Sequence, residues 1–317
     1  MNSPSPDRVT GSPAFDASMP ALFVCIWATG FVVARLVAPH VDPLTFLAYR
    51  FVACAALFSL IVVAVGAPWP QGWRGWWQAA VAGVLLQGLY LGGVFWSVNQ
   101  GLPASICALL AGLQPLLTAL LAAPLLGERV GAGRWLGILL GLVGALLVLL
   151  PTLSGHVSAL PLGPLLAAVI AVLGITFGTL WQKHTAASSD LRSQAAVQFM
   201  AAALLITPIA LLTEQGRFDM SWQSWSGLLW AVFGLSMGAI SLLLIMIKRG
   251  AVTRVASLFY LVPPLVAVMA YLLFDEQLST AQIAGMLLAA LGVAIASRAP
   301  PPVPLAEPLR KPQHVRQ

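Results

Sequence analysis

The sequence predicts an all-α polytopic membrane protein, with ten transmembrane helices arranged as two inverted five-helix repeats. Three observations carry this. Hydrophobic residues make up 59% of the 317 residues and charged residues only 8%, whereas a soluble domain covers its surface with roughly 25% charged residues. The apolar residues fall into long runs, and 44–65, 132–151 and 252–273 each reach the ~20 residues that span a ~30 Å hydrocarbon core. The chain also matches itself at one fixed offset.

Taken in order, the runs are 19–38, 44–65, 74–97, 102–125, 132–151, 162–183, 191–213, 224–247, 252–273 and 279–298. Residues 1–18 are polar, and no Ala-x-Ala cleavage site precedes Ala21, so the first run is expected to stay as a helix. Asp42-Pro43 offers the second run a cap and a proline at its first position; Ser189-Asp190 offers the seventh a cap. Short connections make neighbouring helices antiparallel. The tail 299–317 contains six prolines and is expected, like 1–18, to be disordered.

The formal net charge is +6, but the basic residues stand singly between apolar runs and read as topology signals. With a cytoplasmic N-terminus, thirteen Lys and Arg residues lie inside and three, Arg35, Arg50 and Arg217, lie outside. Both termini are then cytoplasmic, which an even number of helices requires. A cell (inner or plasma) membrane is the expected location. No basic stripe with interleaved aromatics suggests a nucleic-acid partner. Cys25, Cys54 and Cys107 lie inside apolar runs without C-x-x-C spacing, so they read as packing residues, with no metal or disulfide framework.

The offset is 148 residues. Gly30 meets Gly178, Arg35 meets Lys183, Asp42 meets Asp190, Trp77 meets Trp225, Pro115 meets Pro263 and Glu128 meets Glu276. Residues 19–151 and 162–298 thus form two repeats of five helices. Five is odd, so the second copy enters the bilayer from the opposite side. Arg129, beside Glu128, has the uncharged Gln277 as its counterpart, as that inversion requires. Inverted repeats supply two alternative gates around one central site, the architecture of secondary transporters.

The chain also resembles the EamA family of the drug/metabolite transporter superfamily. The residues that carry the resemblance are Trp27-Ala-Thr-Gly-Phe-Val-Val-Ala-Arg35, Tyr49-Arg50-Phe51, Gln114-Pro115 and Leu-Gly-Glu128-Arg129. Gly174 to Trp181, Val262-Pro263-Pro264 and Phe274-Asp-Glu276 hold the corresponding places in the second half. The resemblance covers about residues 19–298. It implies ten helices, cytoplasmic termini, alternating access and a small-molecule substrate such as an amino acid, another metabolite or a drug, often moved outward.

A central site near mid-membrane should draw on polar and aromatic side chains, which are costly in hydrocarbon unless they face a cavity or find partners. The candidates are Trp27, Arg50, Gln87, Tyr90, Gln114, Trp181, Gln198 and Tyr260. Gln114 and Tyr260 stand beside prolines, and each either lines the cavity or hydrogen-bonds a neighbouring helix. Pro115, Pro263 and Pro264 free backbone carbonyls and are candidate helix breaks for gating. Gln87 and Tyr90 share a helix face. Trp96 and Trp181 read first as interfacial anchors and second as ligand contacts. Arg50 either attracts an anionic group or, like Arg35, snorkels to the interface. The small-xxx-small runs Gly88/Gly92, Gly137/Gly141, Gly174/Gly178 and Gly234/Gly238 let helices approach closely, within a monomer or across a homodimer.

No acidic residue falls at mid-membrane and no phosphate-binding loop is present, which points to facilitated diffusion or exchange. The four histidines are scattered, with no H-E-x-x-H and no G-x-S-x-G, so neither an enzyme nor a cofactor is expected. The mostly neutral lining suits a neutral or zwitterionic, amino-acid-like metabolite. The competing classes are a non-transporting helper or receptor of the same fold and an intramembrane enzyme.

Overall fold

A computed structural model describes residues 13–114, 116–118, 121, 128–129, 132–153, 161–185, 190–239, 241–242, 262–276, 278–298 and 303–304. These residues are nearly all helical. The helices are α1 (Pro13–Val37), α2 (Pro43–Ala64), α3 (Gly72–Asn99), α4 (Ala104–Gly112) and α5 (Ala132–Leu153). They continue as α6 (Leu162–Thr185), α7 (Leu191–Thr213), α8 (Trp222–Leu229, running on as π-helix through Trp230–Gly238), α9 (Val262–Phe274) and α10 (Thr280–Arg298). Among the described residues, four stretches are long and apolar enough by themselves to cross a bilayer: Pro43–Ala64, Gly72–Asn99, Leu162–Gln182 and Leu191–Thr213. Large apolar side chains such as Leu60, Val63, Leu204, Leu211 and Leu212 point outward from them, as lipid-facing helices require.

The helix starts show where local sequence sufficed and where it did not. Asp190 caps α7 as expected, its carboxylate accepting from Arg192 N–H at 2.8 Å. Asp42 does not do the same for α2. Its backbone occupies the N-cap position, but its side chain makes no cap hydrogen bond and instead accepts from Arg217 N–H at 2.8 Å. The cap comes from Glu214, beyond the end of α7, which accepts from Leu44 N–H at 2.9 Å and Thr45 N–H at 2.7 Å. A carboxylate at a helix N-terminus satisfies orphan donors and meets the positive end of the dipole. α1 begins at Pro13, six residues ahead of the expected 19. Val303–Pro304 pairs antiparallel with Glu128–Arg129 in a two-residue ladder.

The packing joins the two halves helix by helix. α2 packs on α7, α4 on α9, and α5 on α10; α3 packs on α6, and α1 on α8. Each pair runs antiparallel. The start of α2 meets the end of α7 through Glu214, and the start of α4 meets Glu276 just past α9. Along α5 and α10 the order reverses: a Cβ on Gly144 would stand 2.5 Å from the Gly285 carbonyl oxygen, and one on Gly292 would stand 2.6 Å from that of Gly137. Glycine at these places is what lets two backbones touch. Gly88 and Gly92 instead meet the Leu205 and Ile206 side chains of α7, and Gly174 and Gly178 meet Leu85, Leu86 and Leu89 of α3. At each of these places the close neighbour belongs to the same chain.

Both α3 and α8 widen into π-helix, over Val84–Leu89 and Trp230–Gly238. Adding 148 to 84–89 gives 232–237, so the two wide turns fall at matched positions.

Candidate functional site

The bundle has two ends. One, the Arg217 end, holds 38–42, 100–103, 214–221, 275–276 and 278–279; the other, the Trp73 end, holds 65–71.

The Arg217 end is tied by charged groups. Glu276 accepts from Ala104 N–H at 3.4 Å and Ser105 Oγ at 3.2 Å, and lies 3.5 Å from Arg35 Nε. Asp275, at φ 53°, turns the chain back to aim Glu276 there, with Asp275 N–H on the Tyr271 carbonyl. Arg35 does more than snorkel, since its guanidinium also stands 5.7 Å from the Phe274 ring centroid. At the exposed rim, Arg217 Nη2 meets Asp219 at 2.6 Å. That hydrogen bond holds the Asp219 carboxyl below the usual carboxylate range.

Deeper in, Arg50 is buried, 6% exposed. Its Nε and Nη2 both donate to Ser236 Oγ, at 3.3 and 3.1 Å. Ser236 sits in the π-helical stretch of α8 and donates in turn to the Ala231 carbonyl, five residues back, at 3.0 Å. The wide turn leaves that carbonyl available. Cys54, one turn along α2, lies against both Arg50 and Ser236. The buried Tyr90 phenol is in electrostatic reach of the guanidinium. Among the described residues, no carboxylate lies within ion-pair distance of Arg50.

A second polar group lies toward the Trp73 end. Gln78, Gln182, Thr185, Gln194 and Gln198 line a small cavity between α3, α6 and α7. Gln194 is 6% exposed, and its Oε1 finds no donor. Trp181 Nε1 donates to the Gln78 carbonyl at 2.9 Å, tying α6 to α3.

The expected site residues therefore divide. Arg50 and Tyr90 share one cluster, and Gln198 and Trp181 belong to the other. Gln114 donates to Thr179 Oγ1 at 3.2 Å, the helix-to-helix alternative for that residue. Gln87 is half-buried on the π-helical part of α3. Trp27 packs beside Phe23, ring centroids 5.8 Å apart. Pro263 is buried and Pro264 half-buried at the start of α9, while Pro115 and Tyr260 lie outside the described residues. Sequence reading missed Cys54, Ser236, Gln78, Gln182 and Gln194. Helical spacing held a signal for two of them: Cys54 is four residues from Arg50, and Gln194 is four from Gln198. Ser236, lone in an apolar run, gave none.

The model of the EamA-like transporter family matches residues 18–150 and again 162–298. The chain belongs to the EamA-like transporter family. It is accordingly a multi-pass membrane protein. Several relatives of this EamA-like chain are named as transporters or efflux pumps. It is 26% identical over 292 residues to the "Probable amino-acid metabolite efflux pump" of Escherichia coli K12, covering 88% of this chain and 94% of that protein. It is 27% identical over 261 residues to the "Uncharacterized inner membrane transporter YedA" of the same organism, covering 81% of each. A WAT1-related chloroplastic protein of Arabidopsis thaliana is 26% identical over 271 residues; the match takes in 82% of this chain but 64% of that longer protein. A crystal structure superposes with a TM-score of 0.63 at 23% identity, covering 89% of this chain and 96% of the other, and shares the fold.

Proposed function

We infer that this protein is a secondary transporter that exports a small neutral or zwitterionic, amino-acid-like metabolite by alternating access between two inverted five-helix repeats. The observation that carries this is the pairing of helices. α2 with α7, α4 with α9 and α5 with α10 each join the same position of the two halves, antiparallel. A two-fold axis in the membrane plane generates that pattern, and the matched π-helical turns agree with it.

The charge bias of the loops makes the Arg217 end external and both termini cytoplasmic. The state described is then closed outside. Glu214 on α2, Glu276 on α4 and Arg35, and Asp42 on Arg217 all tie one half to the other there, while the glutamine-lined cavity lies toward the cytoplasm. The gating elements in this reading are the proline breaks at Pro115 and Pro263-Pro264. The transport mode is facilitated diffusion or exchange, and the partners are the substrate and the lipid bilayer.

The deciding experiment is release of radiolabelled neutral amino acids from proteoliposomes holding the purified chain. Flux above protein-free vesicles, with the label recovered chemically unchanged, is expected. Flux that vanishes when a pH gradient is collapsed overturns the facilitated mode. No flux for any panel member, from well-folded protein, assigns the chain to a helper or receptor role instead.

A further inference from the structure

The geometry points to Arg50 as the anchor for the carboxylate of the transported molecule, an inference that rests on the transport reading above and names its substrate class. Arg50 lies seven residues past Pro43, the start of α2, about 10 Å into the bundle at ~1.5 Å per residue. A guanidinium at that depth is costly unless its charge is met. Among the described residues it is met only by neutral groups: the Ser236 hydroxyl, the Cys54 thiol and the Tyr90 phenol. Two other arginines are treated otherwise. Arg35 has Glu276 and Arg217 has Asp219, each at the Arg217 end. Arg50 alone of these three is buried, and it lacks a carboxylate among the described residues.

The hydrogen bonds make the same point. Ser236 Oγ accepts both contacts from Arg50 and spends its own proton on the Ala231 carbonyl. One oxygen atom thus occupies two donors of a planar five-donor fork, a place two carboxylate oxygens fill better, each on its own N–H. A ligand carboxylate would displace a neutral hydroxyl with a charged, bidentate partner. It would also release Ser236 from α2, loosening the only side-chain hydrogen bonds described between α2 and the π-helical stretch of α8. A single positive charge takes a single negative one. A phosphate dianion would keep an uncompensated charge in the same surroundings, so the group recognised is a monocarboxylate.

The test uses the purified full-length chain. In proteoliposomes, release of neutral amino acids is compared with release of their carboxamides. In detergent, thermal unfolding is followed with propionate, propionamide or inorganic phosphate. The expected result is about tenfold or greater preference for acid over amide, with a rise in thermal midpoint for propionate alone. Arg50→Gln abolishes both differences; Arg50→Lys keeps the acid preference at weaker affinity, because the charge survives and the fork does not. Wild-type protein that treats acid and amide alike overturns the inference without any variant, as does a folded Arg50→Gln protein that still prefers the acid. If no amino acid is released at all, the transport reading fails, and the propionate arm still decides whether Arg50 is a carboxylate site.

Discussion

Arg50 and Gln198 stand 148 residues apart, at the same step of α2 and α7, and their surroundings are opposites. Around Arg50 are Cys54, Ser236 and Tyr90. The positions that correspond to these at the same offset are Ala202, Gly88 and Gly238. Where the first neighbourhood places hydroxyl, thiol and phenol around a cation, the second removes side chains. A Cβ on Gly83 would collide with the backbone of Gln198 itself, so α3 and α7 cross there at nearly bare backbone. Duplicated scaffolding thus carries unduplicated chemistry: one copy of the position is built to hold charge and the other to hold two helices together.

Exchanging residues between the two positions breaks this comparison most severely. Gln198→Arg puts an unpaired charge against the Gly83 backbone and should cost about 3–5 kcal/mol, an uncompensated buried charge, read as a fall in the thermal midpoint in detergent. Gly83→Val should cost about 1–3 kcal/mol by overpacking the same crossing. Arg50→Gln makes the two copies alike. It should lower flux about tenfold, ~1.4 kcal/mol, while the thermal midpoint holds or rises, because a charge without a partner is removed. A matched loss of stability and flux would instead mark Arg50 as structural. Glu276→Ala removes the α4 cap and the Arg35 pair, for about 1 kcal/mol. It should speed labelling of Cys107 by a water-soluble maleimide. The smallest effect belongs to the rim. The Asp219 carboxyl is held low by Arg217, so its contribution is present above the unfolded value of about 3.9 and fades as pH falls through the lower folded value. Arg217→Gln should flatten that acid-side slope, leaving the part that His40 supplies, and hardly move the midpoint at pH 7.

The helices were legible because apolar length and period are written locally, and α7 begins and ends where its runs and Asp190 say it should. The cap of α2 was not, since Glu214 lies some 170 residues away in sequence and reaches it only after folding. The same limit governs the site. Depth and polarity singled out Arg50, Tyr90 and Gln198, but which of them share a pocket depends on helix rotation. That rotation is set at glycine crossings such as Gly83 on Gln198 and by the π-helical turns, whose extra residue no periodicity announces.

Those wide turns have one more consequence. Each holds in a single coil a residue that an α-helix would pass along the axis. Relaxing either one would swing every residue beyond it by about 100° and slide it about 1.5 Å. On α3 that stroke would sweep Tyr90, just past the wide turn, away from the guanidinium; on α8 Ser236 lies inside the wide turn, and relaxing it would withdraw the Ala231 carbonyl that holds its hydroxyl. The slack needed to unlatch the buried cation is already wound into the two helices that face it.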